Sequence, residues 1–249
     1  MAQVTSIIFI LIGVLGYVGA FEKFFKKPKP TVIFDLDGTL LDTQNGIEKT
    51  YEMLFEKYSS KDKFTEEVKT EVLGPALEDM FKKYFPNEDV DKLLEEYRIY
   101  NDEIFLEVNK MMPNANEVLK TLKEEGHNIT IVSTKKHDTV ESNLKVYDLL
   151  EYIDDIVGCD DVKKQKPDPE GINKVLHDGR FARDEVIYVG DSVMDIMAGK
   201  NAGSYTVGYY FNPNKKEALD NAKANEYISD LKDVLTIVKK KIHFTSDMS

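Results

Sequence analysis

Five short apolar runs follow one another along the chain after residue 30, and each has the length of a β-strand buried on both faces. Segments with apolar residues at helical spacing separate most of these runs. Such alternation of strands and helices predicts an α/β fold with a parallel, doubly wound sheet. The predicted strands are Thr31–Phe34, Asn128–Val132, Asp155–Val157, 186–189 and Tyr205–Tyr209.

The helices near the second predicted strand carry start and stop signals. Asn114 is a candidate N-cap with Glu117 three residues later, and Gly126 follows the last apolar position of that helix. Asp138 and Glu141 repeat the start signal after the strand. The sequence therefore predicts one helix before this strand and one after it.

A long interruption separates the first two predicted strands. Residues 44–112 contain no strand-like run but carry two amphipathic helical stripes. We therefore predict a small helical cap inserted into an α/β core of residues 31–43 and 113–240, followed by a polar tail at 241–249. The stripes consist of Ile47, Tyr51, Leu54, Phe55 and Tyr58, and of Val90, Leu93, Tyr97, Tyr100, Ile104 and Val108.

The N-terminal segment has a different composition from the rest of the chain. Residues 1–21 contain no charged side chain, and this apolar stretch is just long enough to span a bilayer. Lysines and prolines follow in a linker at 23–30, whereas a secretory signal would begin with basic residues. We therefore predict a transmembrane anchor at 1–22, with the folded domain on the cytoplasmic side of the membrane. The alternatives are a cleaved signal followed by export, and a buried or interfacial helix.

Charge and cysteine content limit the possible partners. The net charge is −12, with 45 acidic against 33 basic residues, so the protein should repel nucleic acid. Cys159 is the only cysteine, which excludes an internal disulfide and suits a reducing compartment. A hydrophobic content of 42% is ordinary for a folded protein. Oligomeric state has no signal in the sequence.

Two carboxylates lie where the first predicted strand ends. Asp35 and Asp37 alternate along an extended chain, so both should face the same side, and Gly38 allows a sharp turn after them. Ligands of open α/β sheets bind at this end of the strands. A calcium loop does not fit, because its glycine is the sixth residue and its flank is helical. A plain polar turn remains the simpler alternative.

Two more acids, Asp191 and Asp195, follow the fourth predicted strand. In a parallel sheet the carboxyl ends of neighbouring strands meet, so these acids should converge with Asp35. Carboxylates that converge in one crevice repel each other unless a divalent cation neutralises them. Ligands that are all oxygen favour magnesium over zinc. The sequence therefore predicts a Mg²⁺ site.

Groups suited to a phosphate follow two further strands. Ser133 and Thr134 come after the second predicted strand and offer short hydroxyl donors. Lys166 comes after the third, and Pro167 would stiffen the turn that aims it inward. The alternative for Lys166 is a solvated side chain, because it ends a lysine-rich run at 163–166. A phosphate-binding crevice is the interpretation that accounts for all three side chains.

Taken in order, these motifs resemble the haloacid dehalogenase superfamily of phosphohydrolases over nearly all of residues 31–235. Runs at 73–78, 157–160 and 189–192 are similar to its phosphoglycolate phosphatase branch. An insertion after the first motif corresponds to the C1 helical cap of that family. The matching motifs are Asp-x-Asp-Gly-Thr-Leu at 35–40, Ser133, Lys-Pro at 166–167 and Gly-Asp-x-x-x-Asp at 190–195.

Two features depart from the family pattern. The sequence reads Pro113-Asn114 where relatives usually read Pro-Gly, which changes the hinge of the cap but none of the catalytic positions. The apolar segment at the N-terminus is also outside the usual pattern.

This resemblance implies a Mg²⁺-dependent phosphatase that works through an aspartyl-phosphate. Asp35 would be the nucleophile, and Asp37 would protonate the leaving oxygen and then activate water. Asp35, the Asp37 main-chain carbonyl and Asp191 would hold Mg²⁺, with Asp195 behind these direct ligands. An acid at position 37 also argues against a dehalogenase, whose reaction needs no proton donor there.

The resemblance also implies a phosphate site and a cap that closes over the substrate. Gly74 and Arg98 are candidate substrate contacts in the cap, although an ordinary loop glycine and a surface arginine are the simpler interpretations. The implied phosphate-binding residues are Gly38, Thr39, Ser133, Thr134 and Lys166.

Several functions share these motifs. The expected substrate is a small phosphorylated metabolite, for example phosphoglycolate, a sugar phosphate or a nucleotide. A pyrophosphatase of the same family, or a phosphomutase of the β-phosphoglucomutase kind, would carry the same residues. The alternative from another class is an inactive, membrane-tethered interaction module, against which the intact acids argue.

Overall fold

The computed structural model describes residues 29–177, 185–211 and 216–246. All five predicted strands are present in it, and a six-stranded sheet, parallel throughout, contains them. The strands of this sheet are β1 (Thr31–Phe34), β4 (Asn128–Val132), β5 (Asp155–Val157), β6 (Val186–Gly190), β7 (Tyr205–Tyr209) and β8 (Glu226–Ile228), and β2 (Leu41–Asp42) pairs separately with β3 (Lys110–Met111).

The strand order is β5-β4-β1-β6-β7-β8, so β1 lies inside the sheet between β4 and β6. Phe34, the last residue of β1, is in register with Ile131 of β4 and with Val189 of β6. The residues that follow these three strands therefore emerge side by side at one edge. This edge is where the sequence predicts the polar residues to converge.

Helices connect the strands and form the inserted segment. Three further short stretches, 61–63, 150–152 and 159–161, are single 3₁₀ turns. The described α-helices are α1 (Gln44–Tyr58), α2 (Glu66–Glu71), α3 (Leu77–Tyr84), α4 (Val90–Val108), α5 (Ala115–Glu124), α6 (His137–Val146), α7 (Glu170–His177), α8 (Val193–Ala202), α9 (Lys216–Ala222) and α10 (Asp233–Ser246).

Both faces of the sheet are covered by helices, as a doubly wound fold requires. Val32 and Phe34 point to one face, where they share a hydrophobic cluster with residues of α5, α6 and α10. Ile33 points to the other face and packs in a cluster with residues of α7 and α8. Alternation along β1 thus places its side chains in two separate cores.

The inserted segment from α1 to α4 has a hydrophobic core of its own, rich in aromatic rings. Tyr51 of α1 lies at its centre, with ring centroids 5.5 Å from Tyr97 and 5.8 Å from Phe81. Both predicted stripes are helical, in α1 and α4, and they face this core, except for Ile104 and Val108 at the end of the second stripe. The connections to the α/β core run through β2 and β3, which pair antiparallel with Leu41 opposite Met111. The insertion is therefore joined to the core at a single two-stranded hinge.

The predicted helix starts differ in detail from the structure. Asn114 precedes α5, but it has a positive φ of 64° and its side chain donates to Asp230 at 2.9 Å instead of capping the helix. The next helix begins earlier than Asp138, with Lys136 in the N-cap position. Gly126 ends α5 as predicted, with φ of +80°.

The C-terminal part of the core contains two elements that the sequence patterns do not predict. Strand β8 is short and extends the sheet by one strand beyond β7. Helix α10 runs to Ser246, so the polar tail expected at 241–249 is helical over most of its length. Residues 247–249 lie outside the described ranges.

The expected membrane localisation requires a correction. Among the described residues no helix is long and apolar enough to cross a membrane. The predicted anchor at 1–22 and most of the linker at 23–30 lie outside the described residues. The prediction of a membrane-anchored protein is therefore wrong for the part of the chain that the structure describes, and no membrane role enters the function proposed below.

Candidate active site

Three buried carboxylates meet at the edge where β1 and β6 end. Oxygens of Asp35, Asp191 and Asp195 all lie within 4.8 Å of one another. Asp35 follows β1 directly, and its main-chain N–H donates to the Val189 carbonyl of β6 at 2.9 Å, which continues the sheet pairing by one residue. Asp191 follows β6, and Asp195 lies in the first turn of α8. The predicted convergence of these acids is thus present in the structure.

Lys166 lies between two of these carboxylates. Its Nζ is 2.7 Å from Asp35 Oδ1 and 2.7 Å from Asp195 Oδ1, and it also donates to the Val132 carbonyl at 3.3 Å. The Lys166 side chain is only 7% exposed. It is therefore a buried cation of the site, not the solvated lysine of the alternative interpretation.

Asp195 has little capacity left for a metal ion. Its Oδ1 accepts hydrogen bonds from Lys166 and, at 3.0 Å, from the Tyr188 hydroxyl. Its Oδ2 accepts from the Ser192 main-chain N–H at 3.0 Å and the Ser192 hydroxyl at 2.5 Å. Ser192 is the N-cap of α8 and forms a capping box with Asp195, so local helix chemistry fixes the carboxylate. Asp195 is in this way suited to hold Lys166.

Asp191 lies against the turn that follows Asp37. Gly38 has φ of +80°, and a Cβ at this position would be 2.4 Å from Asp191 Oδ2. Only glycine allows both the left-handed backbone and this close approach. The turn therefore brings the main chain at Gly38 next to the Asp191 carboxylate.

The Asp37 side chain is held by two donors. The Thr43 hydroxyl donates to Asp37 Oδ1 at 2.5 Å, and Lys135 Nζ is 2.7 Å from the same oxygen. Thr43 is the N-cap residue of α1, but its side chain forms no capping hydrogen bond and serves Asp37 instead. Neither contact was predicted, because neither residue belongs to the sequence motifs and a Thr before a helix indicates a cap.

Two cavities meet at Asp37. The first, of about 40 Å³, is lined by the acids described above together with Lys166, Gly38 and Thr134. The second, of about 90 Å³, extends from Asp37 and Thr134 into the cleft between the core and the helical insertion. Gly74 lines both cavities, and Arg98 lines the second. Both candidate cap residues thus face the space beside Asp37.

The other predicted phosphate-binding residues are placed differently. Thr134 lines the first cavity, as expected. Ser133 is buried beside it, accepts a hydrogen bond from the Lys135 main-chain N–H at 3.1 Å, and lines a smaller neighbouring cavity that also contains Lys166. Thr39 is fully buried, and its hydroxyl does not reach the first cavity. The structure therefore offers no support for Thr39 as a phosphate ligand.

Burial dominates the electrostatics of the site. Burial raises the pKa of the Asp35 carboxyl well above its usual range, Lys166 opposes this, and Asp195 and Asp191 add to it. Burial would lower the pKa of Lys166, but Asp195 and Asp35 outweigh that effect and raise it. Burial would raise the pKa of Asp195, but Lys166 and the hydrogen-bond donors outweigh that effect and lower it.

The donor set fits magnesium. With all three acids ionised, Asp35, Asp191 and Asp195 would carry three negative charges against the single positive charge of Lys166, and a divalent cation would relieve this excess. The cluster consists of carboxylates, without histidine or cysteine, and hard oxygen ligands of this kind suit Mg²⁺. Of the three acids Asp195 is the least suited to bind a metal ion directly, since four hydrogen bonds engage its oxygens.

Cys159, the single cysteine, lacks the lowered pKa of a catalytic thiol. Cys159 lines the second cavity, and burial raises its pKa to about 11. A thiol with such a pKa is protonated at neutral pH and is a poor nucleophile. Cys159 is therefore part of the cavity wall.

Comparison with known proteins places this geometry in a family. Residues 32–209 match the model of the haloacid dehalogenase-like hydrolases. Pyrophosphatase PpaX of Listeria monocytogenes is 35% identical over 213 residues, which cover 84% of this chain and 96% of that protein.

Solved structures agree with this match. A protein from Clostridium difficile, provisionally named a phosphatase, is 28% identical with a TM-score of 0.70, over 86% of this chain and 100% of that one. A protein from Thermotoga maritima, provisionally named a β-phosphoglucomutase, is 25% identical with a TM-score of 0.67, over 85% of this chain and 99% of that one. The resemblance given by the sequence motifs is thus confirmed, and the chain belongs to the family of haloacid dehalogenase-like hydrolases.

Proposed function

We propose that this protein is a magnesium-dependent phosphatase that hydrolyses a small phosphorylated substrate through a phosphoryl group carried by Asp35. The observation that carries the proposal is the contact of Lys166 Nζ with Asp35 Oδ1 at 2.7 Å, inside a cluster of buried carboxylates. A carboxylate held beside a fixed ammonium is oriented for attack, and the same ammonium can neutralise charge on a transferring phosphoryl group.

In the first step one carboxylate oxygen of Asp35 attacks the phosphorus, and the bond from phosphorus to the leaving oxygen breaks. Asp37 gives that oxygen a proton as it leaves. In the second step Asp37 takes a proton from a water molecule whose oxygen attacks the phosphorus. The bond between phosphorus and Asp35 then breaks, so phosphate is released and both acids return to their initial state.

Two acids and one main-chain carbonyl are suited to hold Mg²⁺. These are the carboxylates of Asp35 and Asp191, whose oxygens lie within 4.8 Å of each other, and the main-chain carbonyl of Asp37, which directly precedes the Gly38 turn. When bound, the cation would neutralise the excess negative charge of the site and of the phosphate substrate. Asp195 would act on Lys166 and not as a metal ligand, because four hydrogen bonds occupy its oxygens.

Pyrophosphate is the substrate to test first. The relative from Listeria monocytogenes is named a pyrophosphatase and aligns over 84% of this chain. The similarity to a protein named a β-phosphoglucomutase keeps a phosphomutase as the second candidate, which would transfer the phosphoryl group to a sugar hydroxyl. Both reactions would use the same residues and differ in what accepts the phosphoryl group.

The test is phosphate release by the full-length chain. Pyrophosphate, 2-phosphoglycolate, p-nitrophenyl phosphate and β-glucose 1-phosphate would be supplied with Mg²⁺, and again with a chelator. We expect Mg²⁺-dependent release from at least one of the first three compounds. Isomerisation of the sugar phosphate without release of phosphate would instead favour the mutase.

A matched pair of variants tests the nucleophile. Asp35→Asn should reduce turnover by several orders of magnitude, because a neutral amide is too weak a nucleophile to form the acyl phosphate. Asp138→Asn, at an exposed position in the first turn of α6, should leave turnover unchanged. Normal turnover by Asp35→Asn, or activity that a chelator does not affect, would contradict the proposal.

A further inference from the structure

Lys135 holds the Asp37 carboxyl by one oxygen. Its ammonium and the Thr43 hydroxyl both donate to Oδ1, at 2.7 and 2.5 Å. Among the described residues no hydrogen bond or ion pair reaches Asp37 Oδ2. The carboxyl group is therefore fixed at one oxygen, while the other is available to carry a proton.

The Lys135 side chain is itself held in place and only 15% exposed. Its ammonium also donates to Asn143 Oδ1 of α6 at 3.3 Å and lies 5.7 Å from the ring centroid of Phe105 in α4. Asn143 and Phe105 are both buried. Contacts from the core and from the last helix of the insertion thus fix the ammonium that contacts Asp37.

Lys135 approaches Asp37 from the side of the second cavity. Asp37 and Thr134 line both cavities, whereas Lys135 lines the second one. The first cavity contains Asp35 and Lys166, so the second is where a leaving group would extend. Lys135 can therefore orient Asp37 without occupying the phosphoryl site.

The two-step reaction needs such an orienting contact. A carboxyl group that is free to rotate would present either oxygen, or neither, to the leaving oxygen and later to water. With Oδ1 accepting two hydrogen bonds, the proton resides on Oδ2 when the group is an acid, and Oδ2 accepts the proton when it is a base. The same geometry thus serves both steps.

We infer that Lys135 is a positioning residue that fixes the Asp37 carboxyl for proton transfer to the leaving group. This role rests on the proposed phosphatase function. Lys135 lies outside the sequence motifs that indicate the phosphatase function. The hydroxyls suited to a phosphate belong to its neighbours Ser133 and Thr134.

The test compares kcat/KM for substrates whose leaving groups differ in their need for a proton. Lys135→Met removes the ammonium and keeps most of the side-chain length. For ethyl phosphate, whose leaving group must be protonated, we expect kcat/KM to fall by about tenfold or more. For p-nitrophenyl phosphate, whose leaving group departs as an anion, we expect a change within about twofold. Lys135→Arg should recover part of the loss.

A double-mutant cycle separates positioning from a general effect. In an Asp37→Asn background, Lys135→Met should cause no further loss on ethyl phosphate, because the group that it positions is absent. The matched control is Lys57→Met, which removes a 2.8 Å ion pair with Glu96 and a lysine–ring contact with Tyr100 in the helical insertion, away from the site. It should leave both rates unchanged.

Three results would overturn the inference. Equal losses of kcat/KM on both substrates would indicate a role in substrate binding or in folding. A loss in the Asp37→Asn background as large as that in the unchanged protein would show that Lys135 acts independently of Asp37. If the protein without substitutions hydrolysed neither phosphate esters nor pyrophosphate, the proposed function would be overturned, and the role of Lys135 with it.

Discussion

Replacing Lys166 with methionine removes the ammonium that lies between two buried carboxylates. The side chains of Lys166, Asp35 and Asp195 are 7%, 8% and 1% exposed, so water compensates only weakly for the lost ammonium. Methionine fills a similar volume, and the main effect is therefore electrostatic. The variant tests whether Lys166 is part of the stability of the core as well as of its chemistry.

The expected loss of stability is about 3–5 kcal/mol, the range for removing one partner from a buried ion pair. The loss should depend on pH. In the unchanged protein the pKa of Asp195 is lowered, so its contribution is present above an ordinary aspartate pKa and lost as the pH falls through the lowered value. In the variant, burial without a counter-charge penalises both carboxylates at neutral pH, and the penalty shrinks as acid protonates them.

Urea unfolding at pH 7.5 and pH 5 measures both effects in chelator-containing buffer. The loss of stability caused by Lys166→Met should be larger at pH 7.5 than at pH 5. The control is Lys164→Met, which removes a 3.7 Å pair with Asp168 from a lysine that is 74% exposed, and which should change stability by less than about 1 kcal/mol. A Lys166→Met protein as stable as this control at both pH values would refute the reasoning.

Three further outcomes are expected. Gly38→Ala should reduce turnover by about a hundredfold or more, because a Cβ would lie 2.4 Å from Asp191 Oδ2 on a backbone with φ of +80°, and phosphate release measures this. The hydrogen bond from His137 to Asp161 raises the pKa of His137. This pair should therefore stabilise the protein by less than about 1 kcal/mol at its part-exposed site, fully below pH 6.5 and no longer once the pH has risen through the raised pKa. Melting curves of His137→Gln between pH 6 and pH 8.5 should lack this trend. With a pKa of about 11, Cys159 should react with iodoacetamide at pH 8 on the order of a hundredfold more slowly than a free thiol, as followed by mass spectrometry, and a rate equal to that of a free thiol would contradict the burial of this side chain.

The parts of the fold that the sequence predicts are those with strong local signals. The central strands are short apolar runs because both faces of the sheet are buried, and this pattern is independent of any distant contact. Strand β8 offers no such signal, since only Ile228 of its three residues is fully buried at the edge of the sheet. Asn114 carries a correct start signal for α5, but a tertiary bond to Asp230 takes the side chain that would have capped the helix.

The residues of the candidate site also divide into those with a local sequence signal and those without one. Asp35, Asp191 and Lys166 are predictable because each follows a strand, and parallel strands bring their ends together. Lys135 and Thr43 are not predictable, because their roles depend on which way the chain leaves the sheet. In sequence, Lys135 is one of two adjacent lysines, and its ion pair with Asp37 joins residues 98 positions apart.

The central place of β1 in the sheet has a consequence for how the protein is made. Asp35, the proposed nucleophile, is near the start of the described chain, yet the two strands that flank β1 begin at Asn128 and Val186, and the Lys166 partner of Asp35 is 131 positions away. During synthesis β1 therefore leaves the ribosome long before β6 exists to flank it. Until β6 has been synthesised, β1 is either unpaired or paired with β4 alone. An apolar strand with an unpaired edge favours chaperone binding or aggregation.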